Sequence, residues 1–108
     1  MKTGIELITK ERQEQIEKHR RTIEEDVKYN SNKELSIVAQ ELLEQQPSVQ
    51  NTPHNWRNPI LHKMLSKPYM DRLIIAGALI CAEIDRLKAL EGKIKEKAML
   101  IRIIGKRM

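Results

Sequence analysis

The residue that first invites chemistry is Glu83, a carboxylate near the end of an otherwise apolar stretch, LIIAGALICAEIDRL, from Leu73 to Leu87. On a helix it falls in line with Ala76, Ile80 and Leu87. A carboxylate buried there without partners costs several kcal/mol or shifts its pKa upward. Two arrangements relieve it. Arg86 or Lys88 pairs with it or lifts it to solvent, or it joins other acids around a cation. Glu34 and Glu41, seven residues apart, share a helix face with Val38. With Glu83 and Asp85 they form a four-acid set of the kind with which facing helices hold Mg²⁺ or Mn²⁺. That set would suit a divalent-metal-dependent nucleotide pyrophosphatase. If Glu83 is merely paired, the sequence implies no cofactor.

Other chemistry is thinner. His19, His54 and His62 have no ligand spacing, and Cys81 is the one thiol, so a structural zinc site is not expected. No glycine-rich phosphate loop is present, and no Ser–His–Asp arrangement can be inferred. A lone cysteine excludes an internal disulfide; inside the apolar stretch, Cys81 reads as a small buried hydrophobe. Trp56, the one tryptophan, reads as a plug for the mouth of a bundle.

These residues need helices to hold them. Leu73–Ala82 carries no charge, so neighbouring helices are expected to cover most of its circumference. Its apolar run of about 12 residues is short of the roughly 20 that span a bilayer. Ser66 reads as the N-cap, with Pro68 in the first turn. Gly77, between Ala76 and Ala78, allows a neighbouring helix to approach closely. Upstream, Thr9 reads as the cap of a first helix through ERQEQIEKHRR, and residues 22–33 read as a polar loop. Ser31 and Glu34 have capping-box spacing for a second helix whose core face is Leu35, Val38, Ala39, Leu42 and Leu43, ended by Pro47. The segment PSVQNTPHNWRN is irregular. Asn58 and Pro59 open a short helix with Ile60, Met64 and Leu65 inward.

With no Phe, the core must be aliphatic. The expected fold is all-α: a three- to four-helix bundle around a central buried helix at about 69–90, with a helical basic C-terminal extension. Residues 1–91 form the helical domain and 92–108 the extension. The N-terminal segment lacks a signal-peptide pattern, and the chain reads as cytoplasmic.

Six cations, Lys93, Lys95, Lys97, Arg102, Lys106 and Arg107, stand against Glu96 in residues 92–108, a balance of +5 that equals the charge of the whole chain. Such a tail can contact phosphates, but it has no aromatic residue for stacking, so nucleic acid is a secondary reading. Leu73, Ile80, Leu87, Ile94, Ile101 and Met108 recur every seven residues, with Ala76, Leu90 and Ile104 as companions. That repeat keeps one seam against a partner. Either the tail folds back after Gly92, or the helix continues and packs on a second copy, the favoured reading.

Two resemblances add to this. The central helix with two acids resembles nucleoside triphosphate pyrophosphatases of the MazG type, without their EExxE and ExxD motifs. The pieces ITKERQEQIEKH, DVKYNSNKEL, NW and KPYMDRLIIAGALICAEIDRL, over residues 8–90, resemble a family of small phage- and prophage-encoded proteins. Its ERxxQ, D…H/Y…EL, Trp and LIxAGALIxAEIxRL motifs fall on Glu11, Arg12 and Gln15; Asp26, Tyr29, Glu34 and Leu35; Trp56; and Leu73–Leu87. The resemblance implies an all-α fold and a mobile-element origin, and supplies no catalytic residues. It marks a candidate polar site of Glu11, Arg12, Gln15, Asp26, Tyr29, Glu34, Glu83 and Asp85. The expected function is a non-enzymatic interaction or assembly module, homo-oligomeric through the central helix and tail.

Overall fold

A computed structural model describes the backbone of residues 1–107 and the side-chain surroundings of residues 1–102. The side chains of Ile104, Lys106, Arg107 and Met108 lie outside the described residues. The described chain is all-α, and no helix in it is long and apolar enough to cross a membrane.

Helix α1 spans Gly4–His19. Its cap is Thr3, not Thr9: the Thr3 hydroxyl accepts from Glu6 N at 3.3 Å, and Glu6 Oε1 accepts from Thr3 N at 3.3 Å. That reciprocal box satisfies two donors that a helix start leaves unpaired. Thr9 sits inside the helix and donates to Ile5 O. The expected loop at 22–33 contains a second helix, α2, Ile23–Tyr29. Thr22 caps it by accepting from Glu25 N, and Glu24, Glu25 and Asp26 in its first turn complement the helix dipole.

Helix α3, Glu34–Leu42, does not use the Ser31–Glu34 box. Lys33 at its N-cap is left-handed (φ 64°), and Glu34 instead accepts from Asn32 N. The helix stops at Leu42, before Pro47. Its open end is covered from afar, because buried Arg72 donates to Leu42 O at 2.8 Å and Glu44 O at 2.6 Å. These are carbonyls that a helix end cannot satisfy itself. The irregular segment contains two 3₁₀ turns, Val49–Asn51 and His54–Trp56. Helix α4, Pro59–Leu65, opens as expected, with Asn58 Oδ1 accepting from Leu61 N at 2.9 Å. Leu61 and Leu65 face the core, while Ile60 is exposed and Met64 half-buried.

Helix α5, Tyr69–Arg107, is one continuous 39-residue rod. At 1.5 Å per residue that is about 58 Å, in line with the molecule's 60 Å long axis. Arg72 N donates to Pro68 O, so Pro68 holds the cap position; Ser66 instead closes α4. The helix passes straight through Gly92, so the tail continues it and does not fold back.

The core is one-sided. Ile75, Ala76, Leu79 and Ala82 of α5 pack with Leu35, Val38, Ala39 and Leu42 of α3, and with Trp56, Leu61 and Leu65. Expected core residue Leu43 is exposed. On the opposite side of α5, Leu73, Ile80, Cys81, Ile84 and Leu87 are all exposed, against the expectation that neighbouring helices cover most of its circumference and that Cys81 is buried. Gly77 serves the expected close approach. A Cβ there would lie 2.7 Å from Ile8 Cδ1 of α1.

Candidate functional site

Helices α1 and α2 bring their polar side chains to the face of α5 that carries Glu83. Arg12, Gln15, Asp26, Glu83 and Arg86 are all buried. Arg12 Nη1 donates to Arg21 O at 3.0 Å, and Nη2 lies 3.8 Å from Asp85 Oδ2. Glu83 is paired with Arg86, one turn on, through a short bond from Arg86 Nε. Asp26, 1 % exposed, accepts from Asn30 Nδ2 at 2.9 Å. Asn30 Oδ1 then accepts from the Trp56 indole N–H at 2.8 Å, and the Arg21 guanidinium lies 3.9 Å above the Trp56 ring.

Burial pushes the Asp26 carboxyl above its ordinary value, and the Glu83 charge adds to that. The Asn30 bond and the charges of Arg12 and Arg21 oppose the shift. Burial dominates because each of these partners reaches only part of the carboxylate: Asp26 Oδ2 has no hydrogen-bond partner among the described residues. Arg12 Nε and Nη2 and Gln15 Oε1 share that condition. Each unpaired group costs about 1–3 kcal/mol. A cluster of this composition is therefore an expensive way to stabilise a bundle, since apolar side chains of similar volume commonly do as well.

The sequence-marked residues divide between two places. Arg12, Gln15, Asp26, Glu83 and Asp85 belong to the cluster just described. Glu11, half-buried, joins its edge by accepting from Gln15 Nε2 at 3.4 Å. Glu34 lies elsewhere, in an open depression of about 620 Å³ with Ser31, Asn32, His54 and Asn55, and Tyr29 lines both that depression and the cavity beside Asp26. There Asn55 Nδ2 donates to both Tyr29 O and Glu34 Oε2, tying the loop to α3.

The four-acid metal set is not assembled. Glu34 serves Asn32 and Asn55, Glu41 accepts from Ser48 N at 2.7 Å and Asn51 Nδ2 at 3.3 Å, Glu83 pairs with Arg86, and Asp85 faces Arg12. Among the described residues no three His, Cys, Asp or Glu side chains converge as metal ligands. Charge gives the reason. The carboxylates Asp26, Glu83 and Asp85 meet Arg12, Arg21 and Arg86 in equal number, leaving no negative excess to attract a cation.

The sequence reading missed Asn30, Arg21 and Arg72. Asn30 follows Asp26 by four residues, a spacing that would have paired them had α2 been recognised as a helix. Arg21 and Arg72 act on residues distant in sequence, and no local pattern announces them.

Comparison of the chain with known protein families, characterised proteins and solved structures finds no match.

Proposed function

We propose that the protein is a non-enzymatic assembly module, of the mobile-element origin its motif order implies, that pairs with a second copy along α5. One observation carries this reading: an apolar stripe runs down the rod on the side away from the core. Exposure along it is 44 % at Ile80, 52 % at Leu87, 67 % at Ile94 and 70 % at Ile101. These are the sevenfold residues of the sequence. Their companions differ from expectation, because Ala76 is buried in the core. The exposed partners are Met70, Ile84 and Ala98, which alternate with Leu73, Ile80, Leu87, Ile94 and Ile101 at the three–four spacing of a coiled-coil seam, while Gly77 in the same register is half-buried against Ile8 of α1. Glu91 is the one charged residue in that register.

The tail's cations support the same reading. By the helical period, Lys93 and Lys97 flank the seam on one side and Lys95 and Arg102 on the other. Cations split in this way do not make the single basic face that a nucleic-acid backbone would engage. They act as solvated flanks, and Lys95 is paired with Glu91 at 3.1 Å. An antiparallel pair is favoured, since a parallel one would set two tails of net charge +5 side by side.

The seam from Met70 to Ile101 is about 47 Å long and about 10 Å wide, roughly 450 Å² per copy. A pair would bury about 900 Å², below the standard interface range of about 1,200–2,000 Å². The expected dimer is therefore weak, with a dissociation constant in the micromolar range. Sedimentation equilibrium tests this. The wild type should shift from monomer to dimer as concentration rises, and the Leu87→Glu/Ile94→Glu variant, altered only at exposed positions, should stay monomeric with unchanged helix content. A wild type that is monomeric throughout would remove the proposal.

A further inference from the structure

Beyond self-association, the geometry points to a binding site for a small aromatic anion, one ring bearing a carboxylate or phosphate, in the cavity between α1, α4 and α5 beside Trp56. Four observations converge on it.

The first is Arg21. Its guanidinium lies on the Trp56 ring, yet its side chain makes no hydrogen bond and no ion pair within 4.0 Å among the described residues. A planar fork of donors held in place by stacking, near Asp26 but hydrogen-bonded to nothing among the described residues, is matched to a carboxylate or phosphate. Arg21 lines two adjoining cavities, one of about 250 Å³ toward α2 and one of about 190 Å³ toward α4.

The second is charge. The α4-side cavity adds Lys63 and Lys67 to Arg21, against the single carboxylate of Glu11. The Glu11 carboxylate is already engaged by Gln15 Nε2. Even with Arg21 counted against Asp26, Lys63 and Lys67 outnumber Glu11, so the excess is positive.

The third is the floor. Met64, Ile75 and Leu79 give the cavity an apolar base, with the Trp56 ring at its wall. A fully solvated ion such as free phosphate gains nothing there, whereas a ring does.

The fourth is size. Sites for drug-sized ligands run to about 300–1,000 Å³, so a cavity of about 190 Å³ holds a ring and one anionic group, not a nucleoside triphosphate.

Trp56 is the chain's only tryptophan and lines both this cavity and the adjoining one toward α2, so its emission and its indole N–H resonance report on this region, and the Lys63→Glu/Lys67→Glu variant assigns a change to the α4 side. The probes are benzoate, phenyl phosphate, inorganic phosphate and benzyl alcohol, titrated to about 10 mM, a range suited to fragment-sized ligands with dissociation constants near 1 mM. Benzoate, phenyl phosphate or both should give a saturable change, and whichever binds more tightly identifies the anionic group. Inorganic phosphate and benzyl alcohol should bind at least about 10-fold more weakly, each lacking one half of the recognised chemistry. Lys63→Glu/Lys67→Glu, at two exposed positions, should weaken binding by about 10-fold or more while circular dichroism stays unchanged. The proposal is overturned if neither aromatic anion gives a saturable change in emission or indole shift, or if benzyl alcohol binds as well as benzoate. Equal affinity for phosphate and phenyl phosphate, or for the wild type and the charge-reversed variant, would overturn it as well.

Discussion

Trp56 donates its indole N–H to Asn30 at 2.8 Å across 26 residues of chain, and Asn30 in turn donates to Asp26. The relay joins the loop before α4 to α2, and through Asp26 to the charges arriving from α1 and α5. It lets a buried tryptophan and a buried carboxylate each find a partner.

Replacing Asn30 with Ala would strand both neighbours at once. Two buried polar groups without partners cost about 1–3 kcal/mol each, so Asn30→Ala should lose about 2–6 kcal/mol in urea unfolding. A loss below about 1 kcal/mol would show that the relay contributes little. Asn30→Asp should be worse than a single lost bond, because a second carboxylate would then face Asp26.

Asp26 gives the protein a pH dependence of predictable sign. Folded, it keeps its proton above the ordinary value of 3.8. Between 3.8 and the raised value the folded state binds more protons than the unfolded one, so this group's contribution to stability falls as pH rises. The contribution is complete below 3.8 and gone above the raised value. Asp26→Asn cannot titrate. The stability of the wild type relative to Asp26→Asn should therefore decline as pH climbs through that window and then level off. Paired urea curves from about pH 3.5 to 7 would show it. A difference that rises with pH would mean that the Arg12 and Arg21 charges outweigh burial.

Two glycines of α5 should respond differently to alanine. Gly92 has nothing within 4 Å of a built Cβ, so Gly92→Ala should raise helix content and gain up to about 1 kcal/mol. At Gly77 the same gain meets Ile8 Cδ1 at 2.7 Å. Overpacking costs about 1–3 kcal/mol, so Gly77→Ala should be neutral to destabilising by about 2 kcal/mol. In an Ile8→Val background, which removes Cδ1, the penalty should fall by about 1 kcal/mol in a double-mutant cycle. Additive effects would mean that α1 does not rest on Gly77.

What could be read from the chain follows from the range of the interactions involved. The all-α class, the Asn58–Pro59 start, the Gly77 approach and the sevenfold stripe are local patterns, visible within a few residues. Four of the eight marked polar residues, Arg12, Gln15, Asp26 and Glu83, share one buried cluster with half-exposed Asp85 at its edge, and Arg86 does pair with Glu83. Helix α2 was hidden because TIEEDVKYN has almost no apolar face; its cap and first-turn acids carry it. The inward side of α5 could not be read from a segment apolar on every side. Only the positions of α1, α2 and α3 decide that Ala76 is covered and Ile84 is not. The four-acid metal set failed because Arg86 of the same helix claimed Glu83, Arg12 of α1 claimed Asp85, and loop amides claimed Glu34 and Glu41.

The most direct test of the assembly claim is the distance between two copies of the rod. Cys81 is the only cysteine, so Cys81→Ser with Lys97→Cys places one spin label per chain beside the seam. An antiparallel pair centred near residues 85–86 separates the two labelled positions by about 23 residues, roughly 35 Å along the axis at 1.5 Å per residue. Pulsed dipolar spectroscopy should show that intermolecular distance, growing in amplitude with concentration and absent in the Leu87→Glu/Ile94→Glu background. A distance of about 10–15 Å, close to the separation of two packed helix axes, would mean a parallel pair and contradict the charge argument. No intermolecular distance at any concentration would mean that α5 does not pair with itself, and the central claim would fall.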